Sequence, residues 1–364
     1  KAGKNPSEIL DNFFTKYAGI TTEKDRIDFM FRIIQYLERQ VVLYDSVEDA
    51  AFPKLHEHTL SLSIRDYFQL ANKNKRTEEL LKKLETFSAR IVLTAHPTQF
   101  YTPAVLGIIN RLRTLIPEND IDEIDLIMQQ LGLTTLVNRK KPTPLDEAKN
   151  IIFTLRHVYY NAVGDMYAYI KQHVDDSEFY NPEIIKLGFW PGGDRDGNPY
   201  VTAEITNAVA DELRMTLMKC YYHDLKALNR KISFRGLHEA IYSLRYELYQ
   251  SMFNADKVLH IDTILEQLQA IRKQLVEEYH GLYLKELDHF IDKVHIFKTH
   301  FAVLDIRQNH GVHMQAVEAI LKREKLIDRS IGELEKEKLT DILLHAEFEV
   351  HPNQFDDELM KDTI

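Results

Sequence analysis

Cysteine is almost absent from the sequence: Cys220 is the only one among 364 residues. A single thiol cannot close an internal disulfide, and no cysteine pair is available to hold a zinc ion. The neighbours of Cys220 are apolar at helical spacing, so we predict a buried, unreactive thiol rather than a nucleophile. This cysteine usage favours a reducing compartment, and we expect a cytoplasmic protein.

Long apolar runs and an excess of positive charge are also lacking. No apolar stretch reaches the roughly 18 residues of a transmembrane helix, and the polar N-terminus KAGKNPSEIL has no apolar signal core. We therefore predict no membrane span. The formal net charge is -10, and an acidic surface repels phosphate backbones, which disfavours nucleic acid as a partner. A local arginine cluster could still bind a small anion.

The composition is typical of a globular protein with a large core, since 44% of the residues are hydrophobic and 28% are charged. The length fits about two domains or one large β/α domain. Most segments have the apolar period of amphipathic helices, and we predict core packing, rather than partner binding, for the two clearest stripes. These stripes are Ile27, Met30, Ile34, Leu37 and Val41, and Ile261, Leu265, Leu268, Ile271 and Leu275. A further helix is predicted to begin with Thr143 as its N-cap and Pro144 in its first turn.

Three segments are typical of short buried strands: residues 90–97, 184–193 and 301–308. Each is apolar at its start and polar at its end, and long helical stretches separate them. Strands joined by long helical connections pair in parallel, so we predict a mainly α protein with a parallel β-sheet. Enzymes of this class carry their reactive groups at the carboxyl ends of the strands.

The first polar strand end is IVLTAHPTQF, which presents His96. Pro97 biases this histidine towards an extended backbone, so the imidazole would point in a fixed direction. Such a group could transfer a proton, or it could simply bond a backbone carbonyl in a structural role. The local pattern leaves both interpretations open.

The second strand end is WPGGDRDGNP, residues 190–199, whose glycines permit a tight turn around one arginine. Asp194 and Asp196 flank Arg195 and could orient its guanidinium towards an anion. A calcium loop starting at Asp194 is excluded, because the glycine and glutamate of the EF-hand pattern are missing at its sixth and twelfth positions. The alternative is a rigid turn capped onto the next helix at Thr202.

The third strand end is FAVLDIRQNHGVH. Strand alternation places Asp305 and Arg307 on one face and Ile306 on the other. A guanidinium in this position suits a phosphate or a carboxylate, although an internal Asp–Arg salt bridge is an equal alternative. One histidine and two arginines at the strand ends would suit an anionic substrate and a proton transfer.

These three segments, in this order, resemble the phosphoenolpyruvate carboxylase family. VLTAHPTQ is similar to the first active-site signature of the family and GFWPGGDRDGNP to its second, invariant loop. LDIRQNHGVH resembles the third signature, and His313 falls on the histidine that closes it. PTPLDEA (142–148) and LSIRDYFQLAN (62–72) are also similar to family segments, so the resemblance covers roughly residues 55–320.

The resemblance implies a carbon–carbon lyase of carbon dioxide fixation. It would join phosphoenolpyruvate and bicarbonate to give oxaloacetate and phosphate. The oxaloacetate would feed the tricarboxylic acid cycle. Carboxyphosphate and an enolate are the implied intermediates, and His96 would assist the decomposition of carboxyphosphate. Arg307 would hold the phosphate, and Arg195 would complete the anion site. Mg²⁺ or Mn²⁺ is implied for the full-length enzyme, with ligands absent from this chain.

The fold implied by the resemblance is the N-terminal portion of a single helix-rich (β/α)8 barrel, or TIM barrel, with about three of its strands. Residues 1–88 would be a helical lead-in, and 89–364 would hold the first barrel strands with long helical crossovers. We expect this chain alone to be inactive and the full-length protein to form a homotetramer. Gln99 stands where the family usually has glutamate, and Tyr200 stands where plant members have arginine. The alternative is a non-catalytic helical relic of the family, used for binding or assembly.

Overall fold

The computed structural model describes residues 5–55, 63–94, 101–136, 142–173, 179–195, 198–254, 259–347 and 349–364. Helices dominate these residues. In chain order they are α1 (Pro6–Lys16), α2 (Glu23–Leu55), α3 (Ile64–Lys73), α4 (Thr77–Thr86), α5 (Pro103–Glu118), α6 (Ile121–Leu133), α7 (Pro144–Thr154), α8 (Tyr160–Lys171), α9 (Ala203–Lys231), α10 (Leu237–Phe253), α11 (Ile261–Tyr279), α12 (Leu284–Phe297), α13 (His310–Arg323), α14 (Lys336–His345) and α15 (Glu358–Thr363). The strands are β1 (Ala89–Leu93), β2 (Ile185–Phe189) and β3 (Val303–Leu304). A π-helical turn, Leu155–Tyr159, joins α7 to α8, and the segments Ile331–Glu333 and Pro352–Gln354 are 3₁₀ turns.

The chain divides into two compact units, and the first combines Lys1–Asp66 with Pro97–Lys141. Its core lies where α2 packs against α5 and α6, around side chains that are almost fully buried. These are Val42, Val105, Ile108, Leu112, Ile127 and Leu131. The Arg39 guanidinium of α2 fixes this packing by donating to the carbonyls of Leu131 and Gly132 at the end of α6, at 3.3 and 2.6 Å.

The apolar stripe predicted to form the core face of α2 is exposed instead, so that prediction is wrong. Its five members are between 41 and 55% exposed: Ile27, Met30, Ile34, Leu37 and Val41. The neighbouring helices lie against another face of α2, the one that carries Val42 and Ser46. A helical period identifies an apolar face, but it does not say on which side the other helices pack.

The second unit combines Tyr67–His96 with Pro142–Ile364. Helices α7 to α12 surround β2 with one large apolar core. The second predicted stripe is confirmed here, because Leu268, Ile271 and Leu275 are at most 2% exposed and the other two members pack against the same core. The N-cap of α7 is confirmed as well: Thr143 accepts from the Asp146 amide, and Asp146 accepts from the Thr143 amide.

Cys220 is buried on α9 in this core, as predicted. Burial raises the pKa of its thiol to about 12, so the thiolate that would react is not formed near neutral pH. No helix within the described ranges is long and apolar enough to cross a membrane.

The sheet has the order β1-β2-β3, and both strand pairs are parallel. Ala89 to Leu93 pair in register with Ile185 to Phe189, and Gly188 and Phe189 pair with Val303 and Leu304. The prediction of a mainly α protein with a parallel sheet is therefore confirmed. The ladder is shorter than the predicted strand segments, since its pairing ends at Leu93 in β1, at Phe189 in β2 and at Leu304 in β3. The barrel and the division at residue 88 remain predictions.

Candidate active site

The three strands end at the same edge of the sheet, and the residues that follow them are hydrogen-bonded to one another. The Trp190 amide, after β2, donates to the Leu93 carbonyl at the end of β1, at 3.0 Å. The Asp305 amide, after β3, donates to the Phe189 carbonyl at 2.9 Å. The residues that follow β2 and β3 thus lie beside the ends of the neighbouring strands, as parallel pairing requires.

A glycine turn after β2 lies directly against the residues after β3. Gly192 has a φ of 79°, and a Cβ at Gly193 would stand 2.3 Å from the Asp305 carbonyl oxygen. The Arg307 amide donates to the Gly193 carbonyl at 2.9 Å, and the Arg195 amide donates to the Arg307 carbonyl at 2.8 Å. Only a residue without a side chain permits this approach, and the approach brings the two candidate arginines together.

Trp190 organises the face that Asp305 and Arg307 share. Its indole N–H donates to Asp305 Oδ2 at 3.0 Å, and the Arg307 guanidinium carbon lies 4.1 Å from the centre of its ring. Asp305 also forms an ion pair with Arg90 of β1. Strand alternation correctly put Asp305 and Arg307 on one face. Sequence reasoning missed Trp190, although a sole tryptophan at a strand end was an available signal.

Arg307 is held by Asp194, with 3.0 Å between its Nη1 and the carboxylate Oδ2. The alternative of an internal Asp–Arg salt bridge is therefore present at Arg307, but its carboxylate is Asp194, whereas Asp305 pairs with Arg90. The described ion pair of Asp194 is with Arg307 and not with Arg195, so the expected direct contact between Asp194 and Arg195 is not seen among the described residues. Asp196, the second flanking carboxylate, lies outside the described residues.

Arg195 is buried, with 8% of its side chain exposed, and it bonds a carboxylate far along the chain. Its Nη1 donates to the backbone carbonyl of Asp362 and, at 3.2 Å, to the carboxylate of that residue. The other oxygen of Asp362 accepts from the Ala203 amide in the first turn of α9, and Thr202 caps that helix as predicted. Asp362 was missed because no local pattern links residues so far apart.

Two buried polar atoms at this edge have no hydrogen-bond partner within the described part of the chain: Arg195 Nε and Asp194 Oδ1. One is a donor and the other an acceptor, and they belong to adjacent residues. An orphaned buried group of this kind calls for a ligand or a water molecule, because leaving it unpaired costs free energy.

The proton-transfer candidate, His96, lies outside the described residues, as does Gln99, so the role of His96 remains a prediction. His313 is described and exposed, in the first turn of α13, where its amide donates to the Asn309 carbonyl at 3.2 Å. The sequence signature therefore includes a helix-start position here.

A divalent metal is not matched by the side chains at this edge. The described ranges hold no group of three or more His, Cys, Asp or Glu side chains that could bind a metal ion. Asp194, Asp305 and Asp362 are each engaged by an arginine. Asp194 Oδ1 is left without a partner among the described residues, but one carboxylate oxygen falls short of the several ligands that Mg²⁺ or Mn²⁺ would need.

Comparison with known proteins gives one family. The family model described as phosphoenolpyruvate carboxylase matches residues 29–261 and 239–353. Curated relatives named phosphoenolpyruvate carboxylase come from Acinetobacter baumannii, 26% identical over 68% of this chain and 33% of that protein, and from Alcanivorax borkumensis, 28% identical over 60% and 26%. A third, from Shewanella halifaxensis, is 30% identical over 45% of this chain and 20% of that protein. The chain thus spans between a fifth and a third of the length of these relatives.

Proposed function

Because the chain belongs to the phosphoenolpyruvate carboxylase family, we propose that it supplies part of the site that carboxylates phosphoenolpyruvate with bicarbonate. The observation that carries this proposal is Arg307, stacked on Trp190 and held by Asp194 at the carboxyl ends of three parallel strands. The three strands would be the first of a (β/α)8 barrel. Their sequential order and the exposure of Val303 on the edge strand support that assignment.

Arg307 would bind the phosphoryl group. Asp194 accepts a hydrogen bond from one guanidinium nitrogen of Arg307, and the Trp190 ring covers one face of the guanidinium plane. A guanidinium fixed in this way presents its remaining N–H groups in a set direction, which suits two oxygens of a phosphate. A cation positioned in advance stabilises developing negative charge without having to reorganise.

Arg195 and Asp194 would bind the bicarbonate portion. The unpaired Arg195 Nε is a donor and the unpaired Asp194 Oδ1 is an acceptor. Bicarbonate and carboxyphosphate each carry both an anionic oxygen and a hydroxyl, so either could satisfy both atoms. This pairing assigns Arg195 to the same anion site as Arg307, to which its backbone is hydrogen-bonded.

The proposed reaction starts when a bicarbonate oxygen attacks phosphorus and the bond to the enolate oxygen breaks. His96 then takes the carboxyl proton of carboxyphosphate, which splits into carbon dioxide and phosphate, and the phosphate recovers the proton. The enolate carbon attacks carbon dioxide to give oxaloacetate. A magnesium or manganese ion would steady the enolate, but the described side chains do not fit its binding. We propose that its ligands lie outside this chain, that the chain alone is inactive, and that the whole enzyme is a cytoplasmic homotetramer.

The test is His96→Asn in a form of the protein extended to the length of its relatives. We expect oxaloacetate formation, followed by coupled reduction with NADH, to be lost while circular dichroism stays unchanged. The unextended chain, assayed in parallel, is expected to form none. Carboxylation that persists in the variant would refute the role of His96. An unsubstituted extended form that never carboxylates would favour the non-catalytic alternative.

A further inference from the structure

A cavity of about 560 Å³ lies among α8, α11, α12 and the residues that lead into β2. Phe179 and Tyr180 line it just ahead of β2, and His295 lines it in the last turn of α12, ahead of β3. The cavity therefore belongs to segments that enter the strands, whereas the candidate active site lies where the strands end. Its volume is in the range of pockets that hold small ligands.

The wall formed by α12 is mostly polar, and it runs from the exposed Lys285 to the buried Asp292. Its polar lining residues lie on one face of the helix: Lys285, Asp288, His289, Asp292 and His295. The opposite face packs into the core through Leu287, Phe290 and Val294. A polar helix face normally points to water, but Asp292 is only 8% exposed. A polar face that is buried at Asp292 and borders an open volume is the arrangement of a ligand site rather than of a packed interface.

The charges in the cavity leave a positive excess. Arg272 grips Asp288 with two hydrogen bonds of 2.6 and 3.1 Å, and Lys171 bonds both oxygens of Asp292 at 3.0 and 3.2 Å. Lys285 is a third cation, and no carboxylate lies within ion-pair distance of it in the described part of the chain. Among the lining residues that the structure describes, two carboxylates thus face three cations, and an anion would balance the remaining charge.

Two histidines, His289 and His295, also line the cavity. Burial lowers the pKa of both imidazoles. The nearby Lys293 ammonium lowers that of His289 further, and the Lys171 ammonium does the same for His295. His289 has Asp165 3.4 Å away, and the Tyr180 hydroxyl lies 3.4 Å from His295 Nδ1. These imidazoles can serve as neutral donors to an anion, and a bound anion would favour their protonated form.

The remaining wall is aromatic. The Tyr167 and Phe179 rings are 5.8 Å apart, and the Tyr180 ring stands perpendicular to that of His295 at 5.5 Å. We propose that this cavity binds a small organic oxyanion with a planar apolar body. Its carboxylate or phosphate would face Lys285 and the histidines, and its body would rest against Phe179 and Tyr180. The site is separate from the carboxylase chemistry proposed above and does not depend on it.

Benzoate and phenyl phosphate are suitable probes, because they share a ring and differ in the anionic group. We expect at least one to bind the chain saturably and to shift the imidazole nitrogen signals of His289 and His295 in NMR titrations. Phenol, the neutral control, is expected to bind at least about tenfold more weakly. The tighter of the two anions identifies whether the natural ligand is a carboxylate or a phosphate. Phenol binding as tightly as either anion, or no saturable binding at all, would overturn the proposal.

Two variants locate the binding. Lys285→Glu reverses the unpaired charge and is expected to weaken anion binding about tenfold, whereas Lys226→Glu, an exposed position on α9 that does not line the cavity, should leave it unchanged. Ala168→Phe places a ring in the cavity without changing its charge and is expected to abolish binding. Thermal unfolding checks that each variant is folded. Undiminished binding to folded Ala168→Phe would show that the anion lies elsewhere.

Discussion

The close approach of Gly193 to the strand end of β3 gives the most direct test of how the arginines are positioned. In Gly193→Ala the new Cβ would be 2.3 Å from the Asp305 carbonyl oxygen, a separation that real structures do not tolerate. The turn must therefore move away. Movement disrupts two backbone hydrogen bonds, from Arg307 to Gly193 at 2.9 Å and from Arg195 to Arg307 at 2.8 Å.

The expected loss follows from these contacts. Two hydrogen bonds contribute about 1 kcal/mol each, and relieving an overlap in a packed region costs about 1 kcal/mol or more. We expect Gly193→Ala to lower the free energy of unfolding by about 3 kcal/mol. Gly332→Ala is the matched control in the same unit, because nothing lies within 4 Å of a Cβ there, and its effect should stay within about 0.5 kcal/mol.

Urea unfolding followed by circular dichroism measures both variants. A loss below about 1 kcal/mol in Gly193→Ala would refute the idea that this glycine is required by the contact with Asp305. In the extended protein the same variant is expected to raise the KM for phosphoenolpyruvate, because the displaced turn carries both Asp194 and the carbonyl that fixes Arg307. An unchanged KM in a destabilised variant would separate the stability of the turn from its role in binding.

Three further outcomes are expected. Lys293→Met should lower the free energy of unfolding by about 3 kcal/mol, because the lysine side chain is 5% exposed and its loss leaves the Asp224 carboxylate without its 3.1 Å partner. Lys231→Met breaks an exposed pair of 3.0 Å and should lower that free energy by under about 1 kcal/mol. Equal losses in urea unfolding would contradict the argument from burial. Arg307→Lys in the extended protein should weaken phosphoenolpyruvate binding about tenfold or more, seen as a raised KM in oxaloacetate assays, because an ammonium cannot both fork onto phosphate and stack on an indole. Stability should fall as the pH drops through about 6.5. Burial lowers the pKa of His289 and His295 in the folded protein, so the unfolded chain binds more protons in this range. Free energies of unfolding that stay level from pH 7 to about 5.5 would contradict this prediction.

Features set by neighbouring residues were predictable from the sequence. The capping of α7 by Thr143 and of α9 by Thr202 depends on residues within one helical turn, and both caps are present. The parallel sheet was predictable because long helical connections between strands permit no short hairpins. The sequence also indicated that the strand ends meet, since parallel strands share the edge at which they finish.

Pairings across the chain were not predictable. Asp194 is next to Arg195 in sequence, yet it binds Arg307, because the glycine turn directs its carboxylate towards the strand end of β3. Arg195 in turn binds Asp362, which belongs to the helix α15 near the end of the chain. Charge and spacing identify such residues as candidates, but the fold decides which opposite charge each one meets. The fold likewise decides which side of α2 the neighbouring helices cover, so the sequence did not show that the apolar stripe of α2 would be exposed.

Three arginines in and after the strands are each paired with a carboxylate: Arg90 of β1 with Asp305, Arg307 with Asp194, and Arg195 with Asp362. A cluster of three bare guanidinium groups would attract an anion more strongly, but mutual repulsion would spread the groups apart and leave their directions undefined. Pairing each guanidinium with a carboxylate lowers the net positive charge but fixes the orientation of the guanidinium. At the proposed anion site, affinity would depend on the donors that the carboxylates leave unused, above all Arg195 Nε, which is buried and has no partner among the described residues. A ligand that reached it would replace an unsatisfied contact rather than a hydration shell, so binding and orientation would arise from the same hydrogen bond.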